Sequence, residues 1–259
     1  MRPSLDAFPR SELHLTENRA GQLLIRLDDI PPPLQQDDSF YPVLGILVGR
    51  LAGQRIPVIS GLTATPAEDQ LKAFGAATAS SGAVALFHIV GVTPEAPTLE
   101  AAFQGRPVTE EHTITLDQLR EIRRELTTAT GTKLDMVVLG SPHFSVAEFQ
   151  QLAPLVEGKR RHPDVQFLVT TSRIMSALAS EKGVLAPVES FGARLTVDTC
   201  ILATPMLPKS IQVLMTNSAK YAYYAPGLLA TQVVFGSLAD CVNSAIEGRV
   251  VRDETLWQQ

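Results

Sequence analysis

The chain has 259 residues, 45% of them hydrophobic, and a formal net charge of −5. That is enough apolar material for one large domain or two smaller ones, and it excludes a disordered chain. The acidic balance argues against a broad nucleic-acid footprint, and the short basic run Lys159-Arg160-Arg161-His162 reads as a solvated loop after a helix.

In chain order, the first residues (MRPSLDAFPRSELHL) lack the apolar core of a secretory leader. No apolar run reaches the ~18 residues needed to span a bilayer. The longest, Gly82 to Val92, contains His88 and reads as a buried strand. With only two cysteines, Cys200 and Cys241, there is no disulfide framework, so a soluble cytoplasmic protein is expected, with no membrane partner.

The first forty residues carry Pro3, Pro9, the run Pro31-Pro32-Pro33 and the acidic pair Asp37-Asp38. Gly21 to Leu27 reads as a strand, and the proline run is expected to exclude a helix. Residues 1–42 are therefore read as an N-terminal strand and a Pro-rich connection. Residues 43–259 follow as an α/β catalytic-type region, with room for two subdomains divided near 110–132.

Ile56 to Ser60 is a short strand. Thr65-Pro66-Ala67-Glu68 is expected to open a helix, with Thr65 as cap, that runs to about Ser80 and stops at Gly82. Ala83 to Val90 reads as a continuous apolar strand. Thr115 caps a helix with Leu116, Leu119, Ile122 and Leu126 on one face, and Gly131 follows as its stop. Leu134 to Leu139 is a strand, Ser145 and Glu148 form a capping box, and Gly158 ends that helix. Val165 to Thr170 is a strand, and Ser172 caps a helix that stops near Gly183. Val197 to Leu202, Ile211 to Met215 and Gln232 to Phe235 are further strands. Ser237 with Asp240 opens the last helix, which Gly248 ends. Strands rich in Val, Ile and Leu alternate with helices. The expected fold class is α/β, with mostly parallel sheets, helices on both faces and repeated βαβ units.

Ligands of such sheets bind outside the carboxyl ends of the strands. Those ends hold Ser141 and His143, then Thr170 to Arg173, then Asp198-Thr199-Cys200, then Thr216, Asn217, Ser218 and Lys220, then Ser237. Several are helix N-termini, which attract anions, and Lys220 and Arg173 would add positive charge. Each has a plainer reading. Ser145, Ser172 and Ser237 are most simply caps. His88 in an apolar strand reads more readily as a satisfied core histidine, although it stays a candidate substrate contact. Cys241, with Val242, Ala245 and Ile246, reads as packing, as Cys200 alone would. His143, after a proline in a βα loop, reads either way. There is no GxSxG elbow, phosphate loop, GxGxxG, CxxC or HExxH.

The stretches VDTC, TNSAKYAYYAPG and VVFGSLADCVNSAIEG resemble the C-terminal part of the catalytic large subunit of aconitase X. The resemblance extends upstream through LGSPHFSVAEF, KAFGAATASSGAVALFHIVGVTPEAP and LHLTENRAGQLLIRL. It implies an aconitase-like architecture and an iron–sulfur (or iron) hydro-lyase. Cis-3-hydroxy-L-proline is the preferred substrate and phosphomevalonate the alternative. On the matching positions it implies Cys200 as the metal ligand, His143 and Lys220 as catalytic groups, and Ser141, Asn217, Ser218 and Lys220 as contacts to a small hydroxy-carboxylate. Two departures stand out. The family's Gly-Cys-Pro-His appears as Gly140-Ser141-Pro142-His143, and a hydroxyl replaces a thiolate poorly on iron. The family's N-terminal segment with a Cys-x-Cys motif and its small swivelling domain or subunit are also expected partners outside these residues, so that the cluster is completed elsewhere. A split or truncated dehydratase is thus the first reading. A non-catalytic fragment that binds an anion or partner is the second, and a mononuclear metal enzyme using His143 and Cys200 is the third.

Overall fold

The computed structural model describes residues 12–258, so Pro3 and Pro9 lie outside the described residues. Among the described residues, nine strands form two all-parallel sheets. The first has the order β3-β2-β1-β4, with β1 at Leu23–Arg26, β2 at Pro57–Ser60, β3 at His88–Ile89 and β4 at Glu111–Thr113. The second has the order β7-β6-β5-β8-β9, with β5 at Met136–Phe144, β6 at Gln166–Thr171, β7 at Arg194–Val197, β8 at Val213–Thr216 and β9 at Gln232–Phe235. The strand read at 21–27 thus lies inside the first sheet, between β2 and β4.

The helices are α1 (Pro32–Gln35), α2 (Phe40–Ala52), α3 (Glu68–Ser81), α4 (Leu99–Ala102), α5 (Leu116–Glu125), α6 (Val146–Val156), α7 (Arg173–Glu181), α8 (Leu185–Phe191), α9 (Ala219–Leu229) and α10 (Leu238–Glu247). One apolar core joins Leu23 and Ile25 of the first sheet to Met136, Val138 and Leu214 of the second. Helix α2 lies within it, packed on α3, α5 and α9. The second sheet's other face, with Val137, Leu139 and Val169, is covered through α6, α8 and α10. A smaller cluster around Leu24, Val58, Ala102 and Phe103 covers the first sheet's outer face. Both faces of the inner strands are therefore buried, which explains their lack of polar alternation, while the edge strands β4 and β7 stay exposed or half-buried.

Helix α2 was invisible to periodicity. From Phe40 to Gly49 every residue is buried, so there is no polar face to set a 3.6-residue rhythm. Its contact with α3 requires glycine. A Cβ at Gly45 would stand 2.6 Å from that of Ala77, and one at Gly49 would stand 2.6 Å from the Thr78 carbonyl.

Four local expectations are corrected. The proline run does start a helix: Pro32 and Pro33 occupy the first turn of α1, where the missing N–H has no intrahelical partner to lose. Helix α3 begins at Glu68, and Ala67 is its cap position, so Thr65 caps nothing. The Gln70 side chain accepts the Ala67 N–H at 2.8 Å instead. The apolar run 83–90 contributes only His88–Ile89 to a strand. Ala83 has a φ of 66° and Phe87 turns to pack edge-on against Phe74. The strand read at 197–202 lies earlier, at Arg194–Val197, and Asp198 (φ 53°) turns the chain out of the sheet. The expected helix ends at Gly82, Gly158, Gly183 and Gly248 and the caps Thr115, Ser145, Ser172 and Ser237 are as read.

Candidate functional site

The central feature is the end of β5. After Leu139 its register with β6 shifts, and Gly140 takes a φ of 92°. A Cβ there would stand 2.0 Å from the Thr170 carbonyl oxygen, so only glycine fits. Ser141–Pro142 is a cis peptide. The irregular stretch is pinned from β6: Thr170 Oγ1 donates to the Gly140 carbonyl, and Thr171 Oγ1 donates to that of Phe144 at 2.7 Å. Ser218 holds it from the other side. Its hydroxyl donates to the Ser141 carbonyl and accepts the Tyr221 N–H at 3.1 Å, capping α9. The proton of Ser218 is thus committed to the frame.

Two hollows flank Gly140–Pro142. The smaller, of about 240 Å³, is lined by Ser141, His143, Thr199, Cys200, Lys220 and Tyr221 among others. It brings together Ser141, His143, Cys200 and Lys220, four residues to which the family resemblance gave roles. His143 Nε2 lies 2.8 Å from the Thr199 carbonyl, which can only accept, so Nε2 carries the proton and Nδ1 is the free acceptor of the neutral ring. Cys200 is exposed, and its carbonyl accepts the Thr204 hydroxyl at 3.0 Å. Lys220 is half-buried and has no ion pair among the described residues. Tyr221 is buried and its hydroxyl has no hydrogen-bond partner there. Burial, and then negative charge on Cys200, raise its pKa.

The larger cavity, of about 410 Å³, receives Ser141, Asn217 and Ser218. The first turns of α6, α9 and α10 contribute Glu148, Ala219 and Leu238 to its walls, so three helix N-termini meet around it. The opposite wall comes from the first half of the chain. Lys72 of α3 bridges Asp69 at 2.7 Å and Glu148 at 2.5 Å, and its ammonium also donates to the His143 carbonyl at 3.1 Å. Ser145 Oγ donates to Asp69 at 2.6 Å. Burial raises the Glu148 pKa against the pull of Lys72.

Asp38 also lines this cavity. It accepts the Leu238 N–H at 2.8 Å and is hydrogen-bonded by Asn217. Its pKa is pushed up to about 7, first by burial, then by Asp37 and, more weakly, by Asp240. Sequence reading noted Asp38 only as half of an acidic pair after the prolines. Asp69, Lys72 and the ion-pairing role of Glu148 carried no signal, because each depends on α3 meeting α6.

Other candidates fall elsewhere. His88 is buried in β3 of the first sheet, where its Nε2 contacts the Arg19 carbonyl at 2.7 Å, and it lines neither hollow. Arg173 pairs with Asp198 at 3.0 Å and is exposed, and Asp198 accepts the Arg173 N–H at the start of α7. Cys241 is fully buried, with its pKa raised first by burial. Among the described residues no three His, Cys, Asp or Glu side chains group closely enough to hold a metal ion.

The family model for the aconitase X second domain matches residues 21–124, and that for the third domain matches 134–247. The chain belongs to the aconitase X family. The two matches take one sheet each. The cis-3-hydroxy-L-proline dehydratase of Pseudomonas aeruginosa is 48% identical over 252 residues, covering 96% of this chain and 43% of that protein. The phosphomevalonate dehydratase large subunit of Methanothermobacter thermautotrophicus is 36% identical over 229 residues, covering 88% of this chain and 54% of that subunit. The crystal structure of Thermococcus kodakaraensis aconitase X (holo-form) superposes with a TM-score of 0.80 at 26% identity, covering 92% of this chain and 58% of that one. This aconitase X chain thus spans about half the length of the relatives it matches. Among its described residues, no helix is long and apolar enough to cross a membrane.

Proposed function

We propose that this chain supplies two domains of a hydro-lyase that removes water from a small hydroxy-carboxylate of the cis-3-hydroxy-L-proline type. The observation that carries this is the 48% identity to the Pseudomonas dehydratase across 96% of the chain, against 36% to the Methanothermobacter phosphomevalonate subunit. The large cavity supports it chemically. The helix N-termini of α6 and α9 favour a carboxylate there, against the Asp37, Asp38, Asp69 and Glu148 side chains that share the walls with Lys72 and Asn217.

His143, with Nδ1 left as an acceptor, and Lys220, each without an ion pair among the described residues, are the catalytic candidates of the smaller hollow. Ser141 and Asn217 are candidate substrate contacts, while Ser218 acts by holding Ser141 in place. An iron–sulfur group is what the family implies, and the donor set here does not fit one by itself. Cys200 is the single thiol of the hollow, a serine occupies position 141, and His143 Nε2 is spent on Thr199. Cys200 is the residue that would contribute a ligand, the others coming from further segments or a small swivelling subunit. A cytoplasmic location suits an exposed free thiol.

The test is assembly of the chain with the remaining family segments, followed by assay of cis-3-hydroxy-L-proline and phosphomevalonate in parallel. Turnover of the hydroxyproline alone supports the proposal. Turnover of phosphomevalonate alone moves the chain to the second substrate class, and turnover of neither leaves the non-catalytic reading.

A further inference from the structure

We propose that Asp38 is a catalytic residue, the group in the larger cavity that takes the hydrogen from the substrate carbon next to the carboxylate. This rests on the dehydratase reading above.

The geometry carries it. Asp38 belongs to the short connection between α1 and α2, in the first half of the chain, yet its carboxylate is fixed by the second half. Leu238 N–H, in the first turn of α10, donates to it at 2.8 Å, and the Asn217 side chain at the end of β8 also bonds it. Helix α10 does not need this carboxylate as a cap. Ser237 Oγ already accepts the Asp240 N–H at 3.1 Å, and Asp240 accepts the Ser237 N–H at 3.0 Å. The contact therefore positions Asp38 more than it completes the helix. Asp38 stands in the wall of the cavity and occupies the α10 N-terminus itself, leaving those of α6 and α9 to face a substrate carboxylate.

The surroundings give it the right basicity. Asp37 on its own segment and Asp240 of α10 both oppose its ionisation, and Cys241 behind it is neutral. Across the cavity, Lys72 of α3 is occupied by Asp69 and by Glu148 of α6, and no ion pair joins a cation to Asp38 among the described residues. With burial as the largest cause, its pKa reaches about 7, where a carboxylate is a stronger base than an exposed one and about half of it is ionised in neutral solution.

In the step, the C–H bond α to the carboxylate breaks and its proton goes to Asp38. The electron pair forms the new C=C bond as the C–O bond to the neighbouring hydroxyl breaks. The proton taken and the hydroxide released leave together as one water, so Asp38 ends each turnover ionised and nothing is oxidised or reduced.

The experiment compares the wild-type and Asp38→Asn chains in the assembled enzyme, with cis-3-hydroxy-L-proline as the probe. Asparagine keeps an acceptor for Leu238 N–H and loses the base. A fall in kcat of about 100-fold or more, with KM within about threefold, is expected. In the wild type, kcat/KM should rise through pH 7 as one group ionises. Independently of any variant, a wild-type profile flat from pH 5 to 8 overturns the proposal, as does an Asp38→Asn enzyme within tenfold of wild type. A wild-type assembly with no turnover is a different failure, because it removes the dehydratase reading itself and the proposal with it.

Discussion

The two hollows on either side of Gly140–Pro142 share a wall but not a state of completion. The larger one is closed by both halves of the chain, and its charges are mutually arranged: Lys72 between Asp69 and Glu148, Asp38 between Leu238 and Asn217. The smaller one has an exposed Cys200 and, among the described residues, an unpaired Lys220 and an unsatisfied Tyr221 hydroxyl. Buried polar groups without partners are costly and uncommon in a finished site. The contrast is between a larger hollow whose polar groups are mutually satisfied and a smaller one whose polar groups are not, which under the proposed function makes the larger one the substrate cavity.

The shared wall is the place to break both at once. Gly140→Ala forces a side chain into a 2.0 Å approach at a left-handed φ, and should destabilise by about 3 kcal/mol or more, read as a lowered urea midpoint. The next effect separates the hollows by pH. Asp38 binds its proton more tightly folded than unfolded, so its stabilising contribution is full below its unfolded pKa and is lost as pH rises through about 7. Between pH 5 and pH 8 the wild type should lose about 2–3 kcal/mol more stability than Asp38→Asn. Parallel pH–stability curves for the two would contradict the burial assigned to Asp38. Ser218→Ala removes a cap and the tether to Ser141, and should cost about 1–2 kcal/mol in the same unfolding measurement. On the open side effects should be small. Tyr221→Phe deletes a buried, unpartnered hydroxyl and should leave stability unchanged or raise it by up to about 1 kcal/mol. A loss would mean that the hydroxyl has a partner.

How much was legible in the sequence follows from which interactions are local. The caps Thr115, Ser145 and Ser237 bond residues three apart, and they read correctly, whereas the same pattern at Thr65 and Glu68 did not. So did β9 and the parallel class. The TNSAKYAYYAPG stretch revealed the family, and the structure does bring Ser141, His143, Cys200, Asn217, Ser218 and Lys220 around one bulge. Helix α2 was missed because uniform burial erases periodicity. Asp38 and Lys72 were missed because their importance depends on contacts 200 and 76 residues away. His88 carried an attractive side chain on an apolar run, but its strand belongs to the other sheet.

The most direct test of the central claim, that this chain holds the substrate cavity of an aconitase X dehydratase, is the assay of cis-3-hydroxy-L-proline dehydration by the assembled, metal-loaded enzyme with and without this chain. The account predicts that water is eliminated only when the chain is present. An assembly that contains the chain, melts cooperatively and holds its metal, yet leaves the substrate unchanged, would contradict it.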